Sequence, residues 1–414
     1  MNSLSRIDGV LHIEQVALPE IARTFGTPCY VYSRATLTAA LQAYKEALAN
    51  NNALVCYAVK ANSNLAILSL FSRLGAGFDI VSRGELARVL AAGGDPGKVV
   101  FSGVGKSAAE LREALSLGIL CFNVESEAEL DRLEQIAGGR RKPAPIALRV
   151  NPDVDPRTHP YISTGLRSNK FGIPIDRARA IYRRAAASPQ LAVRGIACHI
   201  GSQLLDPEPA AEAAAKVLAL VDELASDGIE LSHIDLGGGM GIRYLDEQAP
   251  SASAYLAPLL AAMAGRRERL LLEPGRSLVG NAGLLLTRVE YLKPGVEKNF
   301  AIVDAAMNDL MRPALYDAYH DILPVEAAAH AALPYEIVGP VCESGDFLGH
   351  ARTLAIAGGD LLAILSAGAY GMTMSSNYNS RPRAAEVLVD GTAMHLVRRR
   401  ESIADLYAAE SSVP

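Results

Sequence analysis

The sequence predicts an α/β protein: a closed (β/α)8 barrel joined to a second, mostly antiparallel β domain. Short apolar, β-rich runs alternate with helix-like stretches eight times between Leu54 and Glu273, over about the length such a barrel needs. After Gly275 the pattern changes to alternating strands without long intervening helices. Chemically reactive or ligand-like residues stand at five of the eight predicted strands, mostly at the C-terminal ends, where barrels of this kind collect their chemistry.

The eight runs are Leu54–Val59, Gly77–Val81, Val99–Phe101, Cys121–Val124, Ile146–Val150, Val193–His199, His233–Leu236 and Leu270–Glu273. Each suits one buried strand and is too short for a helix. The gaps carry helical stretches such as Ser82–Ala92 and Ala210–Ala225. Ahead of the first run, Ser33 can cap a helix whose apolar face is Leu37, Leu41, Tyr44 and Leu48. A doubly wound open sheet is the rival architecture, suggested by Gly237-Gly238-Gly239-Met240-Gly241. That run comes late in the alternation, and a Gly-x-Gly pattern alone is weak support.

In the second half, Leu284–Leu292, Phe300–Asp304, Tyr335–Val338 and Leu361–Leu365 read as strands. Ala385–Val389 and Ala393–Val397 flank Asp390-Gly391, a strong hairpin signal. The barrel is placed at residues 35–280 and the β domain at 281–414. Residues 1–34 are expected to contribute to the β domain, because sheet edges need covering.

A chain of 414 residues exceeds one ordinary core, which again argues for two domains. A hydrophobic content of 50% with 21% charged residues suits a globular enzyme. The net charge of −5, without a basic block, argues against nucleic acid or an anionic membrane as partner. The first twenty residues carry no secretory pattern and no run approaches a transmembrane span, so a cytoplasmic protein is expected. Cys29, Cys56, Cys121, Cys198 and Cys342 form no CxxC pair. They read as reduced thiols, with no disulfide framework and no metal site. Cys56, Cys121 and Cys198 lie within strand-like runs as core, whereas Cys342 lies in a polar, glycine-flanked stretch.

The reactive residues fit the needs of pyridoxal 5′-phosphate. That cofactor requires a lysine for its Schiff base, a phosphate cradle, a partner for the ring nitrogen and a group against the ring face. Lys60 closes the first apolar run in Tyr57-Ala58-Val59-Lys60-Ala61-Asn62, where an amine held away from bulk water can become a nucleophile. Taken alone, such a lysine more often only extends to solvent. Gly237, Gly238 and Gly239 would let backbone N–H groups approach a phosphate, with a helix beginning beyond them. Gly275 could add donors. Glu273, after three leucines, is the candidate partner of the ring nitrogen, and His199 could stack on the ring. A strand-end histidine also serves as a satisfied core residue. Asp79, within an apolar strand, needs a partner and could support the lysine or the cofactor.

The second half holds a complementary set. Arg276 and Arg312 suit a carboxylate, and Tyr316 stands four residues after Arg312, one helical turn away. Either arginine could equally form an ordinary ion pair. Gly339-Pro340-Val341-Cys342-Glu343-Ser344-Gly345-Asp346 combines a thiol proton donor with a carboxylate for a substrate ammonium. Tyr370 stands near glycines in Gly368-Ala369-Tyr370-Gly371, free to reach a ligand or to plug a loop.

Together, YAVKAN, FDIVSRGEL, HIGSQ, the glycine run, EPGR, RPALY, GPVCESGD and GAYG resemble the diaminopimelate decarboxylases, alanine-racemase-like, fold-type III pyridoxal-phosphate enzymes. The resemblance runs from about Thr27 to about Arg383, and His159–Ile173 resembles the family's long loop after the fifth strand. It implies decarboxylation of meso-2,6-diaminopimelate to L-lysine and CO2, the last step of lysine biosynthesis. It further implies that Lys60 carries the cofactor, His199 stacks on it, and Gly238 and its neighbours with Glu273 to Arg276 bind phosphate and ring nitrogen. Arg276, Arg312 and Tyr316 would bind substrate carboxylate, Glu343 the distal ammonium, and Tyr370 both ligands. Cys342 would be the proton donor. In the family, the residues matching Cys342 and Glu343 come from a partner subunit, so a homodimer with shared active sites is expected. Ornithine or arginine decarboxylase is the nearest rival, alanine racemase a weaker one because it places arginine at the ring nitrogen. A non-catalytic pyridoxal-phosphate carrier is a third reading.

Overall fold

The computed structural model describes residues 3–139, 142–155, 169–327 and 331–413. The part of the expected long loop at 159–168 lies outside the described residues. The chain divides into two compact units, one formed by Leu41–Ile242 with Gln248–Ser277, the other by residues up to Ala40, Arg243–Glu247 and Leu278 onward.

The first unit is a closed barrel of eight parallel strands: Ala53–Ala58, Gly77–Ile80, Val99–Phe101, Cys121–Val124, Ala144–Asn151, Leu191–Ala197, His233–Asp235 and Arg269–Leu272. Each pairs with its sequence neighbours, and the eighth returns to the first through Leu270↔Ala53 to Leu272↔Val55. Closure answers the open-sheet alternative. A parallel sheet buried on both faces needs near-continuous apolar strands, which these sequences supply. Leu54, Cys56, Val100, Cys121, Ala147 and Leu271 form a buried cluster contributed by five of the strands. Burial pushes the thiols of Cys56 and Cys121 well up, and that of Cys198 to about 12, so all three stay protonated and inert.

Caps fix where the helices start. The Ser82 hydroxyl accepts from the Glu85 N–H at the start of Arg83–Ala91, and Ser33 accepts from the Thr36 N–H before Arg34–Ala47. Leu37, Leu41, Tyr44 and Leu48 are all buried, as their spacing requires. One buried charge pair matters for the barrel mouth. The fully buried Lys106 ammonium donates to Glu129 Oε1 at 2.7 Å, the Asn123 carbonyl at 2.8 Å and the Gly103 carbonyl at 2.9 Å, which uses all three of its protons. Lys106→Met would strand Glu129 in the interior. The expected cost is about 3–5 kcal/mol, read as a lower midpoint in urea denaturation.

The second unit is built on a sheet ordered Phe347–Leu354, Leu333–Val338, Asn299–Val303, Gly283–Lys293, Cys29–Ser33, Ala385–Asp390, Ala393–Arg398. Leu361–Ile364 adds to Gly283–Lys293 and pairs with Ile322–Pro324. Pairing in this unit is antiparallel except between Asn299–Val303 and Leu333–Val338, and between Cys29–Ser33 and Ala385–Asp390. The hairpin turns where Asp390 pairs Ala393, with Gly391 at φ 60° supplying the left-handed residue. Three short strands, Leu4–Ile7, Val10–Ile13 and Val16–Ala17, make a separate sheet. Leu11, Ile13, Leu18, Ile21, Leu284 and Val387 belong to the unit's core. Among the described residues no helix is long and apolar enough to cross a membrane.

Candidate active site

The C-terminal ends of the barrel strands surround a cavity of about 180 Å³ lined by Lys60, Ser102, Asn123, Arg149, His199 and Glu273, among others. Lys60 lies in a short 3-10 turn, Val59–Ala61, just past the first strand. Its ammonium donates to Asp79 Oδ2 at 2.7 Å. Asp79 is in the second strand and buried, and its Oδ1 has no hydrogen-bond partner among the described residues. A buried carboxylate oxygen of this kind is a place for a further donor.

His199 stands two residues past the sixth strand. Burial holds its imidazole well below the usual range, and the nearby Arg149 and Lys60 charges add to this, so the ring is neutral. Nδ1 accepts from the Gly238 N–H at 3.4 Å, which leaves the proton on Nε2. Arg149 is itself held by Glu125 at 2.8 Å and stacks 5.0 Å from the Phe171 ring centre.

The glycine run has a geometric cause. Gly237 has φ 69°, and a Cβ on Gly238 would lie 2.2 Å from the Glu273 carbonyl oxygen. No helix begins beyond the run. The next one is Ala252–Ala262, contrary to the sequence expectation, and the N–H groups of Gly237 and Gly238 donate to Asp235 Oδ1 at 2.9 Å and to His199 Nδ1 at 3.4 Å. Gly275 packs its Cα face on Ala58 and Ala61, and Arg276 beside it is buried, donating to Ser202 Oγ at 3.1 and 3.2 Å.

Glu273 follows the eighth strand directly. Its Oε1 accepts from Asn123 Nδ2 at 3.3 Å and Ser102 Oγ at 3.4 Å. Burial is the main cause that holds its carboxyl well above the usual range, with the neighbouring Asp235 and Asp79 charges adding to it. Sequence reasoning missed Ser102, Asn123, Arg149 and Asp235. The signal that flagged Asp79, a polar residue in an apolar strand, was present at Asn123 and Asp235 as well.

The remaining expected residues lie in the second unit. Arg312 and Tyr316 do share one helical turn, Arg312–Tyr316. The buried Arg312 guanidinium lies 4.6 Å from the Tyr244 ring centre and 2.8 Å from His320 Nε2. His320 Nδ1 lies 2.8 Å from the Leu365 carbonyl, so it donates there and Nε2 accepts from Arg312. Cys342 is exposed, with its N–H on Asn379 Oδ1 at 2.8 Å, and the Tyr378 hydroxyl donates to Glu343 Oε1 at 2.5 Å. Tyr370 has φ 55° between Gly368 and Gly371, each packed too closely on backbone to bear a Cβ.

The barrel cavity fits pyridoxal 5′-phosphate: Lys60, His199 and Glu273 line it, and the buried Asp79, which engages the Lys60 ammonium, has one oxygen without a hydrogen-bond partner among the described residues. The family described as "Pyridoxal-dependent decarboxylase, pyridoxal binding domain" matches residues 34–280. The diaminopimelate decarboxylase of Pseudomonas aeruginosa is 60% identical over 414 residues, 100% of both chains. The solved diaminopimelate decarboxylase of Helicobacter pylori complexed with L-lysine is 44% identical, with a TM-score of 0.92, over 95% of this chain and 99% of that one. That of M. jannaschii in co-complex with L-lysine is 39% identical, with a TM-score of 0.95, over 100% and 98%. A barrel whose mouth is furnished for the cofactor, in a chain matched end to end by such relatives, belongs to the diaminopimelate decarboxylases, pyridoxal-phosphate-dependent carboxy-lyases.

Proposed function

We propose that the residues described above divide the decarboxylation of meso-2,6-diaminopimelate to L-lysine and CO2 among themselves as follows. The observation that carries the reading is that Lys60, His199 and Glu273, from three different strand ends, line one cavity. Lys60 would hold the cofactor covalently, Gly237, Gly238, Gly239, Gly275 and Arg276 its phosphate, and Glu273 its ring nitrogen. When bound, the cofactor supplies an electron sink for the charge that departing CO2 leaves on Cα. The neutral His199 ring would stack on the cofactor without adding charge. Asp79 fixes the Lys60 amine at 2.7 Å and so orients it.

Arg276, Arg312 and Tyr316 bind substrate carboxylate, Glu343 binds the distal ammonium, and Tyr370 touches both cofactor and substrate. Cys342 would supply the proton to Cα after CO2 has left. Its exposure, with that of Glu343, supports donation into the site of a second subunit, so the active unit is a homodimer. Reduced thiols of this kind persist in the cytoplasm, where the reading places the enzyme.

The test is CO2 release from purified protein supplied separately with meso-diaminopimelate and with ornithine. Turnover of the first alone is expected, and turnover of ornithine alone refutes the substrate. Arg312 gives a second check. His320→Phe removes the acceptor that aims the guanidinium. KM for meso-diaminopimelate is expected to rise about tenfold, the worth of one hydrogen bond to a charged group, with kcat changed less. His320→Gln, which can restore an acceptor, should recover most of the loss in initial-rate kinetics.

A further inference from the structure

Asp235 ends the seventh barrel strand and is buried. Its Oδ1 accepts from the Gly237 N–H at 2.9 Å, and its Oδ2 from Asn123 Nδ2 at 3.4 Å. The same Asn123 nitrogen reaches Glu273 Oε1 at 3.3 Å, so one amide bridges the two acids. That bridge holds two buried acids close together at the barrel mouth. Two ionised carboxylates so placed, sharing one neutral amide donor, repel each other, which favours keeping one proton between them.

We propose that Asp235 is a positioning residue acting through Glu273: in the cofactor-free chain the two carboxyls share one proton, carried on Glu273, and Asp235 anchors that pair to the glycine run. The proton sits on Glu273 because both Asp235 oxygens accept from amide N–H groups, which favours its ionised form. Glu273 shares the same Asn123 amide, at 3.3 Å, and has the Ser102 hydroxyl at 3.4 Å, but lacks a backbone donor like the Gly237 N–H that serves Asp235 at 2.9 Å. The groups around the pair agree. Asp79 adds negative charge and favours the protonated form, while Lys60 opposes it and is itself engaged by Asp79. Cys56 and Cys198 remain neutral thiols. Burial raises Asp235 only to about 6 but Glu273 well beyond its ordinary range. The consequence, which rests on Glu273 being the ring-nitrogen partner, is that the Glu273 proton would pass to the cofactor's ring nitrogen, leaving Glu273 ionised as the acceptor of that N–H.

The experiment is infrared difference spectroscopy on the full-length chain, cofactor-free and after addition of pyridoxal 5′-phosphate, with pH as the variable. In the cofactor-free wild type at pH about 7 a protonated-carboxyl C=O band is expected, and Glu273→Gln should remove one component of it, leaving those of Glu85 and Asp309, which burial also raises to about 7. Asp235→Asn keeps an acceptor for the Gly237 N–H but removes the neighbouring charge. Without that charge Glu273 ionises more readily, so the pH at which its component disappears should fall by about one unit or more. A Glu273→Gln band equal to that of the wild type overturns the proposal. So does an Asp235→Asn midpoint that does not move. A Glu273 component that survives cofactor addition upholds the shared proton and overturns the ring-nitrogen assignment of Glu273, so the two failures are distinguishable.

Discussion

Lys60→Ala is expected to reduce CO2 release from meso-diaminopimelate by on the order of 10³-fold or more, as loss of a covalent nucleophile does. The visible absorbance of the lysine-bound cofactor should vanish with it. The chain itself should still fold, because Lys60 lies in a short turn past its strand and its side chain is 36% exposed. Removing it does leave Asp79, a fully buried carboxylate side chain, without the 2.7 Å ammonium. Some loss of stability is therefore expected, and circular dichroism separates that loss from the chemical one. Retained absorbance would mean that another lysine holds the cofactor.

Cys342→Ala is expected to leave the cofactor bound and slow turnover by about 10²–10⁴-fold, the usual contribution of a general acid. Cys342 makes only its backbone N–H contact to Asn379 among the described residues, so its removal should leave stability nearly unchanged. The pair of variants also tests the shared active site. If Cys342 serves the site of a second subunit, mixing the Lys60→Ala and Cys342→Ala chains rebuilds intact sites. Random reassortment makes half of the dimers mixed, and each of these carries one site with both functional residues. About a quarter of wild-type activity is then expected. If both residues serve the same subunit, every site in the mixture lacks one of them and no activity returns.

The barrel was legible because its periodicity is strong. Eight short apolar runs leave few alternatives once each gap reads as a helix. The edges of those elements were less so: Lys60, His199 and the glycine run stand beyond their strands, not at the final residue. The helix expected after the glycine run is absent, because the residues that follow fold as a loop up to Ser251, which caps Ala252–Ala262. Nothing in glycine-rich sequence distinguishes those two outcomes. A buried charge with a partner was legible where a residue type is unusual for its place, as with Asp79. Roles were hidden where a residue acts on another residue: Asp235 on Glu273, His320 on Arg312, Lys106 on the end of the fourth strand.

The sequence by itself determined the barrel and the β-rich second half, because periodicity is a local property of the chain. Only the tertiary structure decided which charges are held by which partners. Hydrogen bonds such as that of Asn123 to Asp235 and Glu273 join strands more than a hundred residues apart, and burial, which sets the protonation of His199 and Glu273, exists only once the strands have closed.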